Sequence, residues 1–140
     1  MLISTKGRYA LRVMVALAEN RTDGYVSLKK IAEEEGIPHK YLEAIMTALA
    51  KAALVEGSRG KSGGYRLSRP PERYTVLEIL QTTETSLSSV SCTENGGNGC
   101  RRADGCPTLP MWRELDKTVK EFFSAYSLAD LVKGKRGGKD

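Results

Sequence analysis

The sequence predicts a mainly α-helical fold with one short β-hairpin, and three observations predict it. Apolar residues recur at helical spacing over residues 5–20, 28–35 and 38–49. Two short segments that begin with apolar residues, Leu54–Gly57 and Tyr65–Ser68, flank a glycine-rich turn and are typical of paired strands. Large apolar residues then repeat near the C-terminus with the spacing of a long helix. We therefore expect a small helical domain that carries a hairpin and is followed by one long helix.

The second and third predicted helices form a helix-turn-helix pattern. Ser27 caps the second helix, Gly36 ends it, and Pro38 suits the first turn of the third. The inner face of the third helix is Leu42, Ile45, Met46 and Leu49. Because a hairpin directly after the longer helix is a wing, the predicted fold class is a winged helix-turn-helix with a long C-terminal dimerisation helix.

The basic charge of the chain lies in its N-terminal half. The 140 residues carry a net charge of +5, and residues 1–75 hold 13 Lys/Arg against 8 Asp/Glu, whereas residues 76–140 hold 9 of each. This asymmetry favours a polyanionic partner for the N-terminal half, the alternative being a merely soluble basic protein. The predicted wing from 57 to 69 has no acid and four cations, which favours contacts with nucleic-acid phosphates: Arg59, Lys61, Arg66 and Arg69.

The N-terminal apolar segment predicts a helix and not a targeting signal. It is short and is interrupted by Arg12, so we interpret it as amphipathic. No segment is long enough to span a bilayer, and we expect a cytoplasmic protein that does not bind membranes. In that reducing compartment clustered cysteines indicate metal binding or redox sensing, not a disulfide framework.

Three cysteines share a glycine-rich loop with the sequence CTENGGNGCRRADGC: Cys92, Cys100 and Cys106. Seven residues separate the first pair and five the second, so the spacing is too loose for a CxxC redox pair and suits thiolates that converge on one metal centre. Thiolates suit iron–sulfur clusters and zinc. Structural zinc sites usually have closer cysteine pairs, and reversible thiol oxidation without metal is the third interpretation.

The C-terminal helix is predicted to begin at Pro107 and to carry a seam of two heptad-like repeats. The seam residues are spaced three, four, three and four apart: Trp112, Leu115, Val119, Phe122 and Tyr126. Because the seam follows a complete domain and is rich in aromatic residues, we expect a homodimer contact, the alternative being an internal packing face. Leu128, Leu131 and Val132 complete the last predicted turn.

The predicted organisation has four parts. They are a DNA-binding domain over 1–83, a cysteine-containing sensor loop over 84–106, a dimerisation helix region over 107–133 and a flexible tail over 134–140.

The chain resembles the Rrf2 family of bacterial winged-helix regulators, of the iron–sulfur cluster regulator type. STKGRYALRVMVALA is similar to the first helix of that family, and IPHKYLEAIMTALAKAALVEGSRGKSGGYRLS to its recognition helix and wing. The three cysteines ahead of an aromatic-containing helix correspond to its cluster-binding loop. The resemblance implies a homodimeric repressor that binds a double-stranded DNA operator and carries a 2Fe-2S or 4Fe-4S cluster.

The way a helix-turn-helix docks on DNA predicts which residues contact bases and phosphates. Base contacts concentrate near the N-terminus of the recognition helix, which here offers His39, Lys40, Tyr41 and Glu43. By resemblance Glu43 matches a base-contacting glutamate, and Lys6, Arg8 and Tyr9 match phosphate contacts of the first helix. Arg59 fits a minor-groove arginine and Lys61 a phosphate contact.

The chain departs from the pattern of the cluster regulators at the position of the fourth cluster ligand. The gap from Cys92 to Cys100 is closer to iron-responsive, RirA-like members, and Leu109 occupies the position of a histidine ligand. The ligand candidates are Asp104, Glu94, a residue of the partner's N-terminal helix or a small molecule.

Two other functions compete with a cluster-controlled regulator. Some relatives need no cluster and sense cysteine status by binding an enzyme of cysteine biosynthesis, and a cluster-free regulator of cysteine and sulfur metabolism could also be controlled by thiol oxidation. An enzyme is not expected, because no nucleophile–base pair is visible and the only histidine, His39, lies on the recognition helix.

Overall fold

The computed structural model describes residues 3–21, 24–58, 63–97 and 104–137. The winged helix-turn-helix prediction is confirmed, because three helices precede an antiparallel hairpin and three helices follow it within the described residues. The elements are α1 (Thr5–Glu19), α2 (Leu28–Glu35), α3 (His39–Lys51), β1 (Val55–Ser58), β2 (Gly64–Leu67), α4 (Val76–Thr83), α5 (Leu109–Ala125) and α6 (Leu128–Gly137).

One hydrophobic core joins the helix-turn-helix to α6. Helix α1 buries a stripe at helical spacing, and α3 buries the four predicted residues completely. The two stripes meet Tyr74 and Leu128, both without exposed surface, in the same cluster. A second, smaller cluster under α4 contains Val76, Leu80 and Leu87. Burial of these apolar side chains is the main favourable contribution to folding.

The turn between α2 and α3 forms as its residues predict. The hydroxyl of Ser27 accepts a hydrogen bond from the backbone N–H of Lys30, which caps α2. Gly36 ends α2 in the left-handed region with φ 65°, a conformation that glycine adopts without a steric penalty. Ile37 is then buried and α3 begins at His39.

The hairpin is packed onto the segment that precedes α2. Strands β1 and β2 pair with Val55 opposite Leu67 and Ser58 opposite Gly64. Val26 and Tyr65 exchange two backbone hydrogen bonds of 2.8 Å, which form a single β-bridge ahead of α2. A β-carbon at Gly64 would collide with the backbone carbonyl of Val26, which explains the glycine at this close approach.

The C-terminal region is two helices, whereas the sequence predicted one helix with a last turn. Tyr126 is extended, with φ −97° and ψ 130°, and ends α5. Ser127 and Asp130 exchange side-chain to backbone hydrogen bonds of 2.9 and 3.0 Å, which starts α6 as a capping box would. Helix α6 continues to Gly137, beyond the predicted start of the tail, and buries Leu128 against the core.

No helix among the described residues combines the length and the apolar character needed to cross a membrane.

Candidate functional site

The exposed face of α3 presents the four predicted DNA-reading residues at its N-terminal end. His39, Lys40, Tyr41 and Glu43 are all exposed, and the Tyr41 side chain keeps 52% of its surface accessible. The Nδ1 atom of His39 lies 3.8 Å from Oε1 of Glu43, one helical turn away. A polar helix face next to a fully buried one can enter a groove without disturbing the core.

The first turns of α1 lie beside this face. Lys6 and Tyr9 are half-buried and Arg8 is exposed. The rings of Tyr9 and Tyr41 pack edge to face with centroids 6.1 Å apart. The guanidinium of Arg12 lies 5.7 Å from the Tyr9 ring and donates to Glu35 at the end of α2. The phosphate-contact candidates of α1 are therefore tied to the helix-turn-helix by aromatic and charged contacts.

In the described part of the wing, both basic residues have acidic partners. Arg66 is paired with Glu56 at 2.9 Å and stacks 4.6 Å above the Tyr25 ring. Arg69 binds Glu78 with both of its terminal nitrogens. Both arginines therefore have a carboxylate partner within the fold, and their contact with phosphates stays a prediction. Arg59 and Lys61 lie outside the described residues.

The cysteine loop, residues 84–106, leaves α4 and returns to the start of α5. Cys92 is half-buried in a 3-10 helix over Ser91–Gly97, and Cys106 is half-buried three residues before α5. The Sγ atom of Cys106 lies 3.4 Å from the hydroxyl of Thr108. Cys100 lies outside the described residues, and among those described no three Cys, His, Asp or Glu side chains gather as a metal site. Two half-buried thiols on either side of a glycine-rich segment with a third cysteine are a donor set that fits an iron–sulfur cluster.

Asp116 fastens the cysteine loop to α5. Its carboxylate accepts a hydrogen bond of 2.7 Å from the backbone N–H of Ser89. Burial disfavours the charged form of Asp116, but hydrogen bonds from Thr93 and Ser89 outweigh this and keep its pKa below its ordinary value. The turn that carries Cys92 is therefore held to the helix expected to form the dimer contact, a link that the sequence analysis did not identify.

The fourth-ligand candidates differ in accessibility. Leu109, at the position of the family's histidine, is 3% exposed and packs inward as the first residue of α5. Glu94 and Asp104 are exposed on the loop. His39 lies on α3, where it neighbours Glu43. Of the candidates within this chain, the two loop carboxylates are therefore accessible, whereas Leu109 offers no donor atom.

Helix α5 carries an exposed apolar face that largely coincides with the predicted seam. Leu115, Phe122 and Tyr126 are 41%, 56% and 43% exposed, while Trp112 and Val119 are half-buried. The Phe122 and Tyr126 rings lie 5.3 Å apart. Met111 is 53% exposed and extends this face by one turn, a residue that its spacing of four from Leu115 could have indicated. Phe123 instead packs inward against the second core cluster.

Comparison with known proteins identifies the family. The profile of the Rrf2 family, described as an iron-dependent transcriptional regulator, matches residues 3–134. The HTH-type transcriptional regulator IscR of Xenorhabdus nematophila is 37% identical over 133 residues, which is 95% of this chain and 80% of that protein.

Solved structures agree with this result. The structure of T. potens IscR has a TM-score of 0.76 at 33% identity and covers 100% of this chain and 92% of its own. CymR (YrzC), described as the global cysteine regulator of B. subtilis, has a TM-score of 0.77 at 34% identity, with 95% and 97% covered. Family membership makes the chain a transcriptional regulator and not an enzyme. The chain belongs to the Rrf2 family.

Proposed function

We propose that this regulator is a cytoplasmic homodimer that represses transcription by binding operator DNA, and that an iron–sulfur cluster in the cysteine loop changes its operator affinity. The observation that carries the proposal is the placement of Cys92 and Cys106, which lie half-buried at two points of one loop that is fastened to α5 through Asp116. The name of the IscR relatives and the iron-dependent description of the family support it.

On DNA, the exposed face of α3 would lie in the major groove. Glu43 would accept a hydrogen bond from cytosine N4, and His39, Lys40 and Tyr41 would contact neighbouring bases or phosphates. Lys6, Arg8 and Tyr9 of α1 would bind phosphates beside this groove. The wing would place Arg59 in the minor groove and Lys61 on the backbone.

The dimer would form through the apolar face of α5. A monomer would leave Leu115, Phe122 and Tyr126 in water, and contiguous exposed apolar patches mark interaction sites. A two-fold dimer presents two α3 helices to two half-sites of a palindromic operator.

The cluster would be held by Cys92, Cys100 and Cys106, with a fourth ligand from Glu94, Asp104, the partner's N-terminal helix or a small molecule. When bound, such a group supplies reactivity toward iron depletion, oxygen or nitric oxide. The chain supplies the thiolates and half-buried surroundings, and Asp116 holds the turn that carries Cys92. With three cysteines, one iron at this site would have a ligand other than the usual thiolate.

A second candidate is a cluster-free regulator of cysteine and sulfur metabolism, controlled by thiol oxidation or by a partner enzyme. The similarity to CymR favours this candidate, because the chain is as similar in structure to CymR, with a TM-score of 0.77, as to T. potens IscR, with 0.76. Anaerobic purification followed by absorption and Mössbauer spectroscopy separates the two. The cluster proposal predicts visible absorbance with stoichiometric iron and sulfide, whereas a colourless protein after reconstitution favours the cluster-free regulator.

A further inference from the structure

The residue that opens the cysteine loop is bonded to the first turn of α1, 80 residues away in sequence. Glu84 accepts a hydrogen bond of 2.9 Å from the backbone N–H of Ser4 and a second from the Ser4 hydroxyl. Ser4 is at the same time the N-cap of α1, since its hydroxyl accepts from the backbone N–H of Gly7. The carboxylate of Glu84 thus sits at the positive end of the α1 helix dipole, where a negative charge is favourable.

Gly7 supports this contact by leaving space for it. A β-carbon at Gly7 would lie 2.5 Å from Oε2 of Glu84, which is closer than nonbonded atoms approach. Alanine favours a helix more than glycine does, but an alanine at this position would require the end of the Glu84 side chain to shift.

The backbone of Glu84 belongs to the cysteine loop. Its N–H ends α4 by donating to the carbonyl of Leu80, and its own backbone is extended, with φ −88° and ψ 136°. Cys92 follows eight residues later. A rearrangement of the loop that turns the backbone at Glu84 would therefore move the carboxylate that is bonded to Ser4, the N-cap of α1.

The first turns of α1 in turn carry the phosphate-contact candidates Lys6, Arg8 and Tyr9, and Tyr9 packs on Tyr41 of α3. We propose that Glu84 is a positioning residue that transmits the state of the cysteine loop to the first turns of α1 and so to the DNA contacts made there. This inference rests on the proposed function, because it requires that the loop state changes DNA affinity.

The test measures the ratio of operator dissociation constants between cluster-free and cluster-loaded full-length protein. The probe is the tightest duplex that cluster-loaded wild type selects from random DNA. The matched pair is Ser4→Asp and Ser4→Asn: both residues are good N-caps, but only the aspartate repels Glu84. Gly7→Ala is a further variant, which favours the helix yet displaces the Glu84 carboxylate.

We expect the wild-type ratio to be about fivefold or more, as is usual for coupled sites. In Ser4→Asp, Glu84→Ala and Gly7→Ala the ratio should fall close to one while iron and sulfide content stays at the wild-type level. Ser4→Asn should keep the wild-type ratio. A purely structural role of Glu84 would weaken both forms equally and leave the ratio unchanged.

The outcomes separate the inference from the proposed function. If wild type shows a ratio well above one and the three disrupting variants keep it, Glu84 does not transmit the loop state, and the proposed function stands. If wild type itself shows a ratio of one, the regulatory part of the proposed function is overturned, and the inference with it. If Glu84→Ala fails to fold, Ser4→Asp and Gly7→Ala decide between these results.

Discussion

Arg69 and Glu78 form a two-pronged ion pair, with Nη1–Oε2 and Nη2–Oε1 distances of 2.9 and 3.0 Å. The pair joins the base of the wing to α4, because Glu78 also accepts from the backbone N–H of Thr75 in the capping box of that helix. Arg69 is further packed 4.6 Å above the ring of Tyr74. An arginine that the wing sequence offers to DNA is therefore part of the fold.

Replacing Arg69 should lower the thermal stability of the protein and leave the salt dependence of DNA binding unchanged. The hydrogen bonds from Arg69 are the largest cause that lowers the pKa of Glu78 below its ordinary value. A lowered folded-state pKa stabilises the protein above the unfolded pKa of about 4.3, and this contribution is lost as the pH falls through the folded pKa. Arg69→Met should therefore melt earlier than wild type at neutral pH, and the difference should shrink below about pH 4.

Thermal unfolding over pH, together with the salt dependence of DNA binding, checks this expectation. Arg66→Met is the matched control, since Arg66 forms a more exposed pair with Glu56 and such pairs contribute about 0–1 kcal/mol. If DNA binding by Arg69→Met depends less on salt than binding by wild type, Arg69 contacts a DNA phosphate.

We expect the hydroxyl of Tyr74 to stabilise the backbone at the base of the wing. Its side chain is fully buried, and its hydroxyl donates to the carbonyl of Leu54 at 2.6 Å and accepts from the backbone N–H groups of Ser68 and Arg69. Tyr74→Phe leaves these backbone groups without their hydrogen-bond partner and should lower the free energy of unfolding by about 1–3 kcal/mol. Chemical denaturation measures it, with Tyr41→Phe on the exposed surface as control. A free energy of unfolding equal to that of wild type would show that water replaces the hydroxyl.

Glu43→Ala should relax discrimination at particular base pairs, an effect of about 1–3 kcal/mol. Glu43 is exposed on α3, where its Oε1 atom lies 3.8 Å from Nδ1 of His39. Competition binding with operator and random DNA measures it. Glu33→Ala, an exposed acid on α2, should not change the ratio of the two affinities. Equal loss on both DNAs in Glu43→Ala would contradict its role as a base reader.

Lys61→Ala should weaken binding to all sequences alike. Each lost phosphate contact lowers the slope of log affinity against log salt by about 0.9. Lys133→Ala, an exposed lysine on α6, controls for the loss of one positive charge. A sequence-dependent effect of Lys61→Ala would place it on a base.

Phe122→Asp should yield monomers that no longer bind operator specifically. Phe122 is 56% exposed in the chain, and at a two-fold interface each aspartate would be buried against its own copy. Sedimentation velocity measures the oligomeric state. Ser124→Asp adds the same charge to an exposed position of α5 outside the seam and should stay dimeric. A monomeric wild type at micromolar concentration would show that the seam is not a dimer contact.

Local signals predicted most of the fold. The caps at Ser27 and Gly36 and the apolar stripe of α3 fixed the helix-turn-helix, because capping and periodicity act over a few residues. The division between α5 and α6 was missed, although Ser127 followed by Asp130 three residues later is a capping signal.

The connections across the fold could not be predicted in the same way. Glu84 meets Ser4, and Asp116 meets Ser89, over 80 and 27 residues of sequence. Each contact depends on helix packing, which no local pattern encodes. The acidic partners of Arg66 and Arg69 could not be predicted either, because Glu56 lies on the other strand and Glu78 on α4.

The most direct test of the central claim is the iron and sulfide content of anaerobically purified protein, measured with its visible spectrum. We expect wild type to contain both and to absorb in the visible range, whereas Cys92→Ser, Cys100→Ser and Cys106→Ser should each lose the absorbance, since three thiolates are already one short of the usual four. Circular dichroism should show the same helix content in all three variants. Wild-type protein that holds neither iron nor sulfide, even after reconstitution, would contradict the cluster and leave a thiol switch or a partner enzyme as the signal.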